Sequence, residues 1–393
     1  MKGYIGLFLL SALLSYLLTP VVKVLGQRLQ AYGKGLADGR RTPGIPRLGG
    51  LAIAGALLAA WMIARLISPA VEESFKTGWL LLIQLAVPAG GVLALGVFDD
   101  LAGATPFQKF SVEIVAASVV WCAGIRITAA PIFGTVIHSL GVSFFITVLW
   151  IVAVCNAFNM MDGLDGLATG VACIIAASLF VVAIAEGSLL IGALTVTLCG
   201  ALAGFLRFNF APARIYLGDT GSLFLGFFLA ALAVLAAQCR PAPFTASVPF
   251  VVFALPLLEI SATVVRRLLT RRPLFAGDRN HFHHRLLAKR PSPRRAALML
   301  YAMAGFLSLG SLIVFRTTGS RVLLVIFAAG SAVWLLASYF QYEEFSGLIP
   351  LLPPGLLSGN HPAKKRAQNY SLVGQPEKAG PLEVKHEASF PGP

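Results

Sequence analysis

The sequence predicts an all-α, polytopic membrane protein: a bundle of about eleven transmembrane helices. Apolar residues make up 57% of the 393-residue chain and charged residues only 12%, whereas soluble domains carry about 25% charged residues. The apolar residues also form long uncharged runs, and a helix of about 20 such residues crosses the hydrocarbon layer of a bilayer. Helices are expected because every backbone polar group inside a membrane must be hydrogen-bonded within the chain.

Eleven apolar runs define the predicted spans and a predicted membrane domain, residues 1–340. The runs lie near residues 3–25, 48–70, 77–98, 107–126, 142–158, 166–185, 188–206, 221–238, 246–266, 296–316 and 320–340. Residues 341–393 differ in composition, because they contain several prolines and few large apolar side chains. This composition predicts a disordered cytoplasmic tail.

Basic residues predict the orientation of the bundle. The loops after odd-numbered runs, together with the tail, hold 24 of the 31 lysines and arginines. Loops rich in lysine and arginine face the cytoplasm, so the N-terminus is predicted outside and the C-terminus in the cytoplasm. Topology therefore accounts for much of the formal net charge of +14, and no nucleic-acid partner is predicted.

The aspartates are distributed even more unequally than the basic residues. All seven lie on the predicted cytoplasmic side: Asp38, Asp99, Asp100, Asp162, Asp165, Asp219 and Asp278. Acidic residues contribute little to membrane topology. This one-sided distribution therefore indicates a functional site in the cytoplasmic loops.

Two adjacent carboxylates, Asp99 and Asp100, end the third run. Neighbouring charges at the membrane end of a helix are costly unless a cation compensates them. Carboxylates combined with substrate phosphates are typical ligands of Mg²⁺. Lys109, in the following segment, can either neutralise the two acids or hold a phosphate. The alternative is a helix end with two solvated acids.

Four polar side chains lie at intervals of three residues around the end of the fifth run: Asn156, Asn159, Asp162 and Asp165. This spacing places them near one face of a helix or of its unwound continuation. Such a polar ridge between two apolar helices indicates a site. A broken transporter helix has a similar pattern, and helix-end capping is the simplest alternative.

A phosphate site is predicted at the start of the eighth run, where Thr220, Gly221 and Ser222 follow Asp219. Backbone N–H groups at a helix N-terminus bind phosphate. Asp219 also suits the N-cap position of that helix, and both roles are compatible if a metal lies between carboxylate and phosphate. Tyr216 suits either stacking on a base or the aromatic belt of the membrane interface.

Three of the six histidines, His281, His283 and His284, lie beside Arg285 between the ninth and tenth runs. Zinc is disfavoured because a fourth clear ligand is missing and no cysteine is near. Histidine and arginine donors bind phosphate oxygens more simply. The alternative, incidental histidines in a basic loop set by topology, explains the arginines better than the histidines.

Taken together, five motifs resemble the polyprenyl-phosphate N-acetylhexosamine-1-phosphate transferases, over residues 1 to about 340. They occur in the order PRLGG (46–50), FDD (98–100), NAFNMMDGLDGLA (156–168), FNFAPARIYLGDTGS (208–222) and DRNHFHHRL (278–286). The histidine motif is similar to that of the undecaprenyl-phosphate alpha-N-acetylglucosaminyl 1-phosphate transferase branch. It is less similar to the phospho-N-acetylmuramoyl-pentapeptide branch, whose histidines are consecutive.

The resemblance implies a multi-pass enzyme of the bacterial inner membrane with its active site on the cytoplasmic face. Mg²⁺, with Mn²⁺ able to replace it, would be the cofactor, and a UDP-sugar and a polyprenyl phosphate in the bilayer would be the partners. A homodimer is left open. The predicted metal ligands are Asn159 and Asp219. Residues tied to catalysis are Asp99, Asp100, Asp162 and Asp165. Substrate contacts are assigned to Lys109, Asn156, Asn209, Tyr216, His281, His283, His284 and Arg285.

The expected reaction transfers a sugar 1-phosphate, N-acetylglucosamine 1-phosphate above all, from a UDP-sugar to undecaprenyl phosphate. Another UDP-N-acetylhexosamine or UDP-MurNAc-pentapeptide is the alternative donor, and a secondary transporter is the alternative of another class. Three positions depart from the family pattern. Glu113 stands where glutamine is frequent, Glu259 where aspartate is frequent, and Arg41 near a position often held by histidine. These departures bear on the sugar more than on the reaction type.

Overall fold

The computed structural model describes residues 2–32, 44–67, 69–128, 137–238, 252–269, 286 and 292–316. These residues contain ten α-helices: α1 (Lys2–Arg28), α2 (Gly49–Ile67), α3 (Pro69–Ala102), α4 (Pro106–Cys122), α5 (Leu140–Met161), α6 (Leu167–Ala185), α7 (Leu189–Asn209), α8 (Gly218–Gln238), α9 (Ala254–Leu269) and α10 (Pro293–Arg316). No β-strand occurs within the described ranges, so the all-α prediction is confirmed there. Each helix overlaps one of the first ten predicted runs.

The helices confirm a multi-span membrane protein. Seven of them, α1 to α3 and α5 to α8, are long and apolar enough to cross a bilayer. α4 is shorter, with 17 residues, and an apolar stretch of α9 is shorter still. The eleventh run at 320–340 and the tail at 341–393 lie outside the described residues. Eleven spans and the orientation of the termini therefore remain predictions.

α8 lies at the centre of the bundle and α1 at its periphery. Nearly every side chain of α8 is buried, because α3, α5, α2 and α6 all pack against it. α1 instead exposes Ile5, Leu9, Leu13 and Leu17. This spacing of four residues makes one apolar stripe along a helix, as expected of a face that contacts lipid.

Glycines bring the helix ends together around the start of α8. A Cβ atom at Gly96 of α3 would lie only 2.6 Å from the backbone nitrogen of Thr220, and one at Gly226 would lie 2.6 Å from Cα of Cys155 on α5. Small residues allow membrane helices to approach closely in this way. The polar residues at the ends of α3 and α5 are therefore held next to α8.

The first motif, residues 46–50, pairs with the segment that precedes α8. The Tyr216 N–H group donates to the Pro46 carbonyl at 2.9 Å, and the Gly49 N–H group donates to the Tyr216 carbonyl at 3.1 Å. The Gly50 N–H group donates to the Leu217 carbonyl at 3.2 Å. These bonds satisfy N–H groups at the start of α2 that have no partner within the helix. The motif thus fixes the position of α2 relative to α8.

Candidate active site

Three carboxylates converge where α3 ends and α8 begins. Asp99, Asp100 and Asp219 each offer an oxygen atom, and these atoms lie within 4.8 Å of one another. Carboxylates this close repel each other unless a cation or hydrogen-bond donors compensate them. The donors around each aspartate therefore indicate its role.

Asp100 is 3% exposed and caps the N-terminus of α8. Its two oxygens accept hydrogen bonds from the Asp219 N–H group at 3.1 Å, the Thr220 N–H group at 2.9 Å and the Thr220 hydroxyl at 2.6 Å. A carboxylate near a helix N-terminus is stabilised by the helix dipole. The cap of α8 thus comes from α3, and the Asp219 side chain is directed elsewhere.

Gly218 makes this capping contact possible. Its φ angle is +72°, a left-handed conformation that glycine adopts without steric cost. A Cβ atom there would lie 3.0 Å from Cγ of Asp100 and still closer to one carboxylate oxygen. The glycine before Asp219 is therefore needed both for its conformation and for the space that Asp100 occupies.

Lys109 bridges the other two carboxylates. α4 starts with a capping box between Thr105 and Gln108, which places Lys109 in the first turns of the helix. The Lys109 ammonium donates to Oδ2 of Asp99 at 2.8 Å and also to Oδ2 of Asp219. The other Asp99 oxygen accepts from the Ala104 N–H group at 2.5 Å. Of the two roles considered for Lys109, this geometry favours neutralisation of the acids.

The donor set fits a divalent cation. When the three carboxylates are ionised, they face one ammonium group, so two negative charges are uncompensated. Asp99 and Asp219 already surround a positive charge, and hard oxygen donors of this kind suit Mg²⁺. Asn159 lies beside them: its amide donates to the Ser222 hydroxyl at 3.2 Å and interacts with the Asp219 carboxylate. The two predicted metal ligands, Asn159 and Asp219, therefore lie next to each other.

Asn156 lies one turn before Asn159 on α5 and contacts a residue that belongs to none of the five motifs. Its amide donates to Oε2 of Glu113 at 2.6 Å and to the Val152 carbonyl at 2.9 Å. Glu113 lies on α4, one turn after Lys109. This spacing of four residues puts the two side chains on the same helical face. Together with the departure of Glu113 from the family pattern, it was a signal for Glu113 as a site residue.

Asp162 and Asp165 lie outside the three-carboxylate cluster. Asp162 is the C-cap residue of α5, and its N–H group donates to the Phe158 carbonyl at 3.1 Å. Asp165 accepts a hydrogen bond from the Ala213 N–H group at 2.9 Å. Asp165 thus connects the turn after α5 to the segment between α7 and α8. The predicted link of Asp162 and Asp165 to catalysis stays a prediction.

Asn209 and Tyr216 are both buried, with exposed fractions of 2% and 7%. The Asn209 amide accepts from the Thr169 hydroxyl at 2.7 Å and donates to the Ile215 carbonyl at 3.0 Å. These bonds shape the segment that leads into α8. The geometry favours a positioning role for Asn209, and the covered Tyr216 ring leaves little surface for a base in this state.

The predicted contacts at His281, His283, His284 and Arg285 lie outside the described residues. The helix that follows them, α10, is anchored beside the site. Arg294 donates to the Ala211 carbonyl at 2.6 Å, and the Tyr301 hydroxyl donates to the Gly166 carbonyl at 2.6 Å. α10 therefore contacts both the turn after α5 and the segment before α8.

Comparison with known proteins identifies relatives over most of the chain. Residues 79–237, which contain the three carboxylates, match glycosyl transferase family 4. A probable undecaprenyl-phosphate N-acetylglucosaminyl 1-phosphate transferase of Bacillus subtilis is 30% identical, over 81% of this chain and 87% of that protein.

Two further relatives differ in the reaction that their names describe. A decaprenyl-phosphate N-acetylglucosaminephosphotransferase of Mycobacterium leprae is 33% identical, over 82% of this chain and 88% of that protein. A phospho-N-acetylmuramoyl-pentapeptide-transferase of Desulforudis audaxviator is 30% identical, over 70% and 87%. The chain therefore belongs to glycosyl transferase family 4 and is a membrane sugar-phosphate transferase of the polyprenyl-phosphate N-acetylhexosamine-1-phosphate type.

Proposed function

We propose that the protein transfers N-acetylglucosamine 1-phosphate from UDP-N-acetylglucosamine to undecaprenyl phosphate and releases UMP. The observation that carries this proposal is the cluster of Asp99, Asp100 and Asp219 around the Lys109 ammonium. The B. subtilis and M. leprae relatives, named for N-acetylglucosamine phosphate transfer, support the choice of sugar. UDP-MurNAc-pentapeptide is the second candidate donor, because the D. audaxviator relative is named for that transfer; another UDP-N-acetylhexosamine is the third.

The reaction exchanges one phosphoanhydride bond for another. An oxygen of the lipid phosphate bonds to the β-phosphorus of the UDP-sugar, and the bond from that phosphorus to the bridging oxygen breaks. UMP leaves with the bridging oxygen and the electron pair. The two anhydrides are nearly isoenergetic, so the protein has to position the two phosphates and compensate their charge.

The site residues divide these tasks. Asp219 and Asn159 would hold Mg²⁺, which, when bound, compensates the charge of the diphosphate and of the departing UMP. Asp100 is occupied at the start of α8, so Asp99 is the better placed carboxylate to accept a last proton from the lipid phosphate. A lipid phosphate is largely ionised at neutral pH, since its second pKa is about 6, so no strong base is required. A covalent aspartyl-phosphate is the rival mechanism.

The proposal includes a location. We infer eleven helices in the bacterial inner membrane, with the N-terminus outside, the C-terminus in the cytoplasm and the acidic cluster on the cytoplasmic face. The distribution of lysine and arginine supports this orientation. A secondary transporter would concentrate charge near the bilayer midplane. The three carboxylates instead lie at the end of α3 and the start of α8, which favours the enzyme.

The test is UMP release by the purified protein from UDP-N-acetylglucosamine, with undecaprenyl phosphate and Mg²⁺. We expect release that EDTA abolishes and that Mg²⁺ or Mn²⁺ restores. Asp219→Asn should remove most of it, because it reduces the negative charge at the metal site. Glu72→Gln is the matched control, since Glu72 pairs with Lys76 at the opposite end of α3.

The donor is identified by running UDP-N-acetylgalactosamine and UDP-MurNAc-pentapeptide in parallel. If UMP is released faster from one of these, that UDP-sugar replaces UDP-N-acetylglucosamine as the proposed substrate, and the proposed reaction type is unchanged. No UMP from any UDP-sugar, combined with an Asp219→Asn variant that behaves like the wild type in every assay, would overturn the proposed function. A phosphosugar trapped on the protein in a single turnover would favour the aspartyl-phosphate mechanism.

A further inference from the structure

Glu113 on α4 is a buried carboxylate with only one of its oxygens engaged. Its exposed fraction is 0%. Oε2 accepts the hydrogen bond from Asn156, whereas Oε1 is buried without a hydrogen-bond partner among the described residues. A buried carboxylate is costly when it is incompletely hydrogen-bonded. The position therefore indicates a function beyond packing.

The contact with Glu113 helps to determine which way the Asn156 amide faces. The amide nitrogen Nδ2 carries two hydrogens, and both are donated: one to Oε2 of Glu113 and one to the Val152 carbonyl. A backbone carbonyl can only accept, so the nitrogen cannot exchange places with the amide oxygen. The partly exposed Asn156 side chain consequently offers Oδ1, a hydrogen-bond acceptor, to whatever lies in front of it.

The Glu113–Asn156 pair borders the acidic cluster. The charges of Lys109 and Asp219 both act on Glu113. Asn159, on the same face of α5 as Asn156, contacts Ser222 in the first turns of α8. The Asn156 side chain therefore lies one helical turn from Asn159, beside the place proposed for the diphosphate.

We propose that Glu113 is a positioning residue, which holds Asn156 so that Oδ1 accepts a hydrogen bond from an O–H or N–H group of the nucleotide-sugar. This inference rests on the proposed function. Phosphate oxygens are acceptors and are repelled by an amide oxygen, so Asn156 selects for the sugar or nucleoside part of the substrate. Glutamine at position 113 keeps an acceptor for Asn156, but an apolar side chain does not.

The experiment is a double-mutant cycle on the purified full-length protein with Mg²⁺, using Glu113→Gln, Glu113→Leu, Asn156→Ala and the Leu/Ala double variant. We expect Glu113→Leu and Asn156→Ala each to raise KM for UDP-N-acetylglucosamine about tenfold, which corresponds to about one hydrogen bond. The double variant should be no worse than Asn156→Ala alone, because coupled residues are not additive. Glu113→Gln should bind like the wild type, and KM for undecaprenyl phosphate should not change.

Binding of UMP and of UDP-N-acetylglucosamine, measured by titration, identifies the group that Asn156 contacts. If both ligands bind more weakly to Asn156→Ala, the group that donates a hydrogen bond to Asn156 belongs to the nucleoside. If only UDP-N-acetylglucosamine binds more weakly, the donating group belongs to the sugar. Additive effects of Glu113→Leu and Asn156→Ala would overturn the proposal, and so would an equal rise in KM for the lipid phosphate.

Glu113→Gln separates the proposed contact from a requirement for charge. If it is as damaging as Glu113→Leu, the charge of Glu113 matters and the positioning role is wrong. If Glu113→Leu does not purify as a folded protein, Glu113→Gln and Asn156→Ala carry the test: Glu113→Gln should bind UDP-N-acetylglucosamine like the wild type, and Asn156→Ala should lose affinity for it. UMP release by the wild type tests the proposed reaction. The two ligand titrations do not depend on turnover, so they test the role of Glu113 and Asn156 separately.

Discussion

Asp99 and Asp100 are neighbours in the chain, but their carboxylates have different surroundings. Asp100 is buried and accepts three hydrogen bonds from the start of α8. Asp99 accepts from Ala104 and from the Lys109 ammonium, a cation that another cation can replace. Asp100 thus orients Asp219, whereas Asp99 can take part directly in metal or phosphate binding.

This difference predicts that two similar substitutions affect different properties, the stability of the fold and the response to Mg²⁺. Asp100→Asn turns an N–H₂ group towards backbone N–H donors, and an unsatisfied buried group costs about 1–3 kcal/mol. We therefore expect a lower free energy of unfolding, measured by thermal unfolding in detergent. Asp99→Asn should be close to wild-type stability but should lose the stabilisation by Mg²⁺. Equal loss of stability in both variants would contradict this division of roles.

Lys109 occupies a position between two carboxylates where a metal ion would also be attracted. Lys109→Met removes this ammonium, so Asp99 and Asp219 repel each other in the metal-free protein and Mg²⁺ no longer competes with a lysine. We expect a lower melting temperature in EDTA and a larger rise on adding Mg²⁺. The apparent metal affinity should increase about tenfold, the effect of about 1.4 kcal/mol of lost competition.

The measurement is a Mg²⁺ titration followed by thermal unfolding, so it does not depend on activity. The control is Lys76→Met, because Lys76 pairs with the nearby Glu72 at the far end of α3. An identical Mg²⁺ dependence in the Lys109→Met variant and the wild type would show that the lysine does not compete with the ion.

At the scale of the helices, the contact between α3 and α8 depends on one glycine. Gly218→Ala should destabilise the protein for two reasons: its φ angle is +72° and the new Cβ would collide with Asp100. Gly103→Ala is the matched control, since its φ angle is +84° and nothing lies within 4 Å of the place that its Cβ would take. The left-handed conformation alone costs about 1–2 kcal/mol. Thermal unfolding should show a greater loss for Gly218→Ala, and equal losses would mean that Asp100 moves aside freely.

The helices themselves were predictable from the sequence, because each apolar run specifies its own span. The contacts between them were not, since a pairing between distant residues leaves no local pattern. Asp219 was expected to suit its own N-cap, but the cap of α8 is supplied by Asp100. Asn156 stands out in the sequence as a motif residue and Glu113 as a departure from the family pattern, and only the packing of α4 against α5 connects them.

At the scale of the whole molecule, the orientation in the membrane can be tested directly. Ser188 lies between α6 and α7, on the predicted outer side, and Ser292 immediately precedes α10, on the predicted cytoplasmic side. In a variant without Cys122 and Cys239, a membrane-impermeant thiol reagent should label Ser188→Cys in intact cells. Ser292→Cys should react only after permeabilisation. The reverse pattern would invert the bundle and move the acidic cluster to the outer face.

The capping of α8 by Asp100 has a consequence for how the enzyme is made. The two residues joined by the first of these bonds, Asp100 and Asp219, are 119 positions apart. During synthesis, α3 therefore enters the membrane long before its partner helix leaves the ribosome. Asp99 and Asp100, at the end of α3, can meet Asp219 only after α4 to α7 have been inserted. A partly made chain thus has no complete site, and sugar-phosphate transfer can start only once the central helix is in place.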